Sequence, residues 1–89
     1  MSVIYKKQLG LGHDQLVMLP KRSIILTARE QYDKPTVWYV CDPEENLEPY
    51  YFSVYATGEE VDRFSGEYIG TCFCHATSDT MLVWHVYVR

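Results

Sequence analysis

Long apolar runs are missing from this chain. None approaches the roughly 18 residues that a membrane-spanning helix needs, so no membrane partner is expected. Lys6 and Lys7 lie near the start, but polar residues soon follow them, and no signal peptide is expected. Cysteine is scarce: three, an odd number, do not describe a disulfide scaffold and fit a reducing compartment better. Segments with helical periodicity are lacking, as are internal repeats and low-complexity stretches. The net charge of −4 is too small for an acidic mimic of nucleic acid. A basic stripe, which a nucleic-acid binder would need, is absent too.

What is present is apolar and aromatic. The hydrophobic fraction is 47% and the aromatic fraction 15%, which excludes intrinsic disorder. At 89 residues and 10.4 kDa the chain is expected to form one domain, residues 1–89. Such a chain exposes roughly 5,400 Å² of about 15,000 Å² unfolded, enough burial for one modest core. Little room is left for both a cofactor pocket and a catalytic constellation, and no cofactor is expected.

Period-2 alternation marks the elements. Residues 3–9 read as a first strand, and Gly10 to Asp14 as a turn. Leu16 to Leu19 is a short apolar run stopped by Pro20. In residues 23–29, Ile24, Leu26 and Ala28 are expected on one face, with Ser23, Ile25, Thr27 and Arg29 on the other. Gln31 to Pro35 reads as loop. Thr36 to Cys41 is β-branched and aromatic, hence strand. Asp42 to Asn46 is a turn. From Tyr50, residues Tyr50, Phe52, Val54 and Ala56 share a face opposite Tyr51, Ser53, Tyr55 and Thr57; Gly58 ends that strand. Glu59 to Phe64 has room for at most one helical turn. Residues 68–75 and 81–88 are strands joined by a short polar loop, an antiparallel hairpin. The expected class is mainly β: about seven short antiparallel strands in a sandwich or barrel.

Charge is segregated. Residues 1–34 hold six basic and three acidic side chains. Residues 42–67 hold eight acidic ones against Arg63 alone. Such a block either sits on a solvated loop or steers a basic partner.

Chemistry-bearing residues are weakly clustered. Cys72 and Cys74 share a strand face, with the sulfurs roughly 7 Å apart. Cys41 and His85 have no spacing that brings them to the same metal, so buried core thiols are the expectation. His13-Asp14 beside Gly10 and Gly12 opens no helix, which a phosphate cradle would require. His85 lacks a nucleophile in an elbow motif. The tyrosines are more suggestive. Eight occur, and Tyr51 and Tyr55 on the face opposite Phe52 are candidates for an exposed interaction surface.

In order, Ile4-Tyr5-Lys6, Leu19-Pro20-Lys21 with Ile24-Ile25-Leu26, and Val37-Trp38-Tyr39-Val40 before Asp42-Pro43-Glu44 resemble one family. So do Val54-Tyr55-Ala56-Thr57-Gly58, Tyr68-Ile69-Gly70-Thr71 and Leu82-Val83-Trp84-His85-Val86. That family consists of short uncharacterised phage and prophage proteins, a domain of unknown function. Arg22-Ser23 replaces a small Gly-Ala-like turn, and Glu59-Glu60 stands where the family tends to carry histidine and proline. The resemblance implies a viral accessory protein in the host cytoplasm and brings no catalytic residue.

The leading expectation is a non-catalytic protein that binds and blocks a host protein, a defence or CRISPR component for example. Its contacts would be Tyr51, Tyr55, Glu59, Glu60 and Asp62. The alternative is a protein that sequesters a small ligand such as a nucleotide signal, with Lys21, Arg22 or Arg29 beside an aromatic. An enzyme would need Cys72, Cys74 or His85 in a cleft. A homo-oligomer through an exposed edge strand stays open.

Overall fold

The computed structural model describes residues 1–62 and 64–89. Seven strands run through them: β1 (Val3–Gln8), β2 (Gly12–Pro20), β3 (Ile24–Gln31), β4 (Lys34–Cys41), β5 (Leu47–Ala56), β6 (Glu67–His75) and β7 (Met81–Val88). All pairings are antiparallel. Sheet A has the order β1-β4-β3 and sheet B the order β2-β5-β7-β6. The described residues contain no helix. Glu59 to Asp62 and Phe64 form an irregular loop, and position 63 of the expected helical turn lies outside the described residues.

The alternation builds the core directly. β5 and β7 send Phe52, Val54, Val86 and Val88 inward; β4 sends Val37, Tyr39 and Cys41 to meet them. Phe52, Val37 and Val86 are fully buried, each contributing about 1.5–3 kcal/mol relative to exposure. Cys72 and Cys74 point into the same core. The expected β6–β7 hairpin is present, closed by Ala76 N–H donating to the Thr80 carbonyl at 2.8 Å.

Several local features depart from simple alternation, among them a bulge between Tyr68 and Gly70 that puts Tyr68 and Thr71 on one face of β6. A bulge between Ile25 and Thr27 inserts Leu26, so Ile25 and Ala28 face the core while Ile24 turns outward. The expected grouping of Ile24, Leu26 and Ala28 is thereby corrected: the bulge shifts the phase by one residue. Another departure is the β3–β4 connection. It is not a five-residue loop but a two-residue turn, Tyr32-Asp33, with Gln31 paired to Lys34. Both turn residues have positive φ, 52° and 59°, the signature of the hairpin turn whose twist matches the strands. In addition, β2 starts at Gly12, so His13 and Asp14 lie in a bulged strand rather than a turn.

The sheets meet most closely at Gly70. A Cβ there would sit 2.2 Å from the Ala28 carbonyl oxygen, so only glycine lets β3 lie against β6. Nearby, His75 N–H donates to Asp33 Oδ1 at 2.9 Å. This hydrogen bond, then one with the His75 side chain, holds the Asp33 carboxyl below its ordinary range. Burial works to raise Glu30, but hydrogen bonds from its own backbone, Arg29 and the Phe73 backbone outweigh it and lower its pKa.

Candidate functional site

The outward face of sheet B gathers the residues that the sequence singled out. Tyr51, Ser53 and Tyr55 on β5 lie beside Tyr87 and His85 on β7, and these beside Tyr68 and Thr71 on β6. Tyr55 is where the alternation puts it, yet only 4% exposed. The expectation of an open Tyr55 is therefore corrected. The chain after β5 folds back over the sheet, and the Tyr55 hydroxyl is joined to Ser65 Oγ at 2.6 Å. The His13 ring covers Tyr55 at 4.2 Å and 30°; the Tyr87 ring meets it edge-on at 5.8 Å.

Loop 57–66 is latched at both ends. Glu59 Oε1 accepts the Ala56 N–H at 2.9 Å, and Glu59 Oε2 pairs with His13 Nε2 at 2.8 Å. That pair is substantially exposed, worth about 0–1 kcal/mol. At the other end Ser65 N–H donates to the Asp62 carbonyl, and Phe64 N–H donates to Asp62 Oδ1. Gly66 has φ 106°, and a Cβ there would strike the Val88 carbonyl oxygen. Glu60 and Val61 between the latches are exposed, as is Asp62 in the second latch, and Phe64 is 84% exposed. Of the five contact residues expected, Glu59 and Asp62 are latches, Asp62 still exposed, Tyr55 is a buried support, and Glu60 is open. Tyr51 is half-buried under Arg89, whose guanidinium carbon lies 4.7 Å from the ring centroid. Asp14 holds that arginine through a 2.7 Å hydrogen bond from Nη2.

Sequence reading missed Phe64. Its signal was there, an aromatic in a polar, glycine-closed loop, but the segment was treated as a helical turn. It also missed the apolar strip on β2, where Leu16 is 57% and Met18 47% exposed.

His85 is tied on both ring nitrogens, Nε2 to Thr57 Oγ1 at 2.7 Å and Nδ1 to Thr71 Oγ1 at 3.1 Å. Tyr68 hydrogen-bonds the same threonine. Cys72 and Cys74 lie on the opposite face of sheet B from His85. Burial, then the neighbouring Cys74, pushes the Cys72 thiol up to about 11, and burial raises Cys74 too. A thiol so placed stays protonated at neutral pH and is a poor nucleophile or ligand. Among the described residues no three His, Cys, Asp or Glu side chains converge on a metal position. No described helix is long and apolar enough to cross a membrane.

A cavity of about 410 Å³ opens at one end of the sandwich. Leu9, Leu11, Pro35, Leu82 and Trp84 line it, with Lys34 and His75 also contributing. The basic residues expected at a ligand site are elsewhere: Arg22 pairs with Glu45, Arg29 with Glu30, and Lys21 does not line the cavity.

Fold and surface together define a small antiparallel β-sandwich that carries an acidic, aromatic-tipped loop over its larger sheet. The whole chain, residues 1–89, matches the model of a domain of unknown function (DUF7352), and the protein belongs to that family. Comparison with curated proteins and with solved structures gives no match.

Proposed function

We propose that this protein is a non-catalytic binding module that docks a basic protein partner on loop 57–66. The observation that carries the reading is Phe64, 84% exposed in a loop that also exposes Glu60, Val61 and Asp62. Leaving a phenylalanine in water forgoes about 1.5–3 kcal/mol that burial would provide. A partner pocket recovers it. Aromatic anchors of this kind dominate interface energetics, and the flanking carboxylates steer the approach of a basic surface. The resemblance to phage and prophage proteins extends the reading: a viral accessory protein acting on a host protein in the host cytoplasm, with a defence component as the first class to test.

The experiment is a paired capture from the host bacterium followed by native mass spectrometry. Wild type should hold a partner at fixed stoichiometry, and association should slow as salt rises. Phe64→Ala with Glu60→Lys should lose it while keeping the wild-type melting temperature. A partner retained by that variant overturns the loop assignment.

A second reading rests on the cavity, whose volume suits a small organic ligand. It takes Lys34 and Trp84 as the cation and stacking surface in place of the expected Lys21, Arg22 or Arg29. A small bound mass in the native spectrum, lost with Trp84→Ala, would favour it.

A further inference from the structure

We propose that the free edge of β2 is a homodimer interface, with two copies pairing antiparallel about a twofold axis at Val17. The argument runs through the sheet edges. β3 and β6 lie against each other, with Ala28 on Gly70 and the Phe73 and His75 N–H groups facing the Glu30 and Asp33 carboxylates. On that side the two edge strands cover each other. β1 carries Lys6 and Lys7, the device by which natural edge strands discourage pairing. β2 is guarded only at its ends, by the Asp14 bulge and Pro20; between them Gln15-Leu16-Val17-Met18-Leu19 is uncharged, and Leu16 and Met18 are largely exposed.

Hydrogen-bond phase sets the register. Tyr51 and Arg89 exchange both backbone hydrogen bonds, at 3.0 and 2.9 Å, so Tyr51 directs its N–H and carbonyl toward the β7 side of β5. Its neighbour Tyr50 therefore faces β2 and pairs with Val17, and Lys21 N–H on the Asn46 carbonyl keeps the same phase. It follows that Leu16 and Met18 point their backbone groups away from β5, to the free edge. With Val17 on the axis, Leu16 meets Met18 of the partner subunit and Met18 meets Leu16 of the partner subunit. Each pair exchanges two hydrogen bonds, four in all.

The same register is self-complementary in its side chains. The two Leu16 and two Met18 side chains gather on the outward face, where each is now exposed. No like charges meet, and the Asp14 end of one β2 lies against the Lys21 end of the other. The product is one eight-stranded sheet that displays both acidic loops on the same face.

Sedimentation at micromolar concentration should give twice the chain mass of 10.4 kDa. Leu16→Pro removes an N–H that faces the free edge, so it should give the mass of a single chain with an unchanged circular dichroism spectrum. Val17→Cys places two thiols across the axis and should convert most of the protein to a disulfide-linked dimer on mild oxidation. A wild type that sediments as a monomer overturns the proposal. So does a Leu16→Pro dimer, or a Val17→Cys variant that stays uncrosslinked. Loop variants that lose the host partner leave this assembly intact, so the two proposals fail separately.

Discussion

The two sides of the sandwich solve the same problem differently. On the β3/β6 side the sheets close on each other, because Gly70 has no side chain to hold Ala28 away and because acidic side chains face the exposed amides of β6. On the β1/β2 side, among the described residues, no comparable seam joins the sheets, and protection rests on the edge residues themselves. Charge lies along β1 and is confined to the Asp14 end of β2. One glycine and two carboxylates thus turn an aggregation-prone edge into a seam. Their lack leaves an edge that another chain can extend.

Substitutions can break or sharpen that contrast. The largest effect should come from Gly70→Val, which drives atoms into the Ala28 backbone. The expected loss is about 3 kcal/mol, a fall of roughly 12–24 °C in melting temperature for a domain of this size. A shift of only a degree or two would show that the seam is loose. Tyr32→Gly should act in the opposite direction. Tyr32 is exposed and held at φ 52°, so glycine relieves left-handed strain and should raise stability by about 0.5–1 kcal/mol, read in urea titrations.

The acid limb of stability tests the amide caps. Asp33 has a folded pKa below its ordinary value of 3.8. Its contribution is therefore present above that value and is lost as pH falls through the lower folded value. Melting temperature should decline over that window, and Asp33→Asn should flatten the decline. The smallest effect belongs to the open side: Leu16→Pro should change monomer stability by less than about 0.5 kcal/mol, by thermal melting under dilute conditions.

Much of this architecture was legible in the sequence, for a physical reason. β5 and β7 alternate strictly, so Phe52, Val54, Val86 and Val88 could be assigned to one face without knowing what covers it. Bulges defeated the same logic on β3, since one inserted residue reverses every later assignment and nothing in Ile24-Ile25-Leu26-Thr27 marks the insertion. The Tyr32-Asp33 turn was missed because a tyrosine rarely occupies a left-handed position and no glycine marks the turn, and its stabilising partner, His75, lies 42 positions from Asp33. The candidate site was half legible. Acidity located the loop, but the burial of Tyr55 depends on Ser65 folding back onto it, a contact that no local pattern announces.

The three buried cysteines carry a consequence of a different kind. With Cys72 pushed up to about 11 and all three thiols enclosed, an alkylating reagent at mildly alkaline pH finds them only when the structure opens. Each is then a clock for its own neighbourhood. Cys41 stands opposite Val3 on the β1 side, and Cys72 lies on the strand that carries Gly70. A chain that frays from its open side labels Cys41 first, and the interval before Cys72 follows measures in seconds how much longer the closed seam lasts.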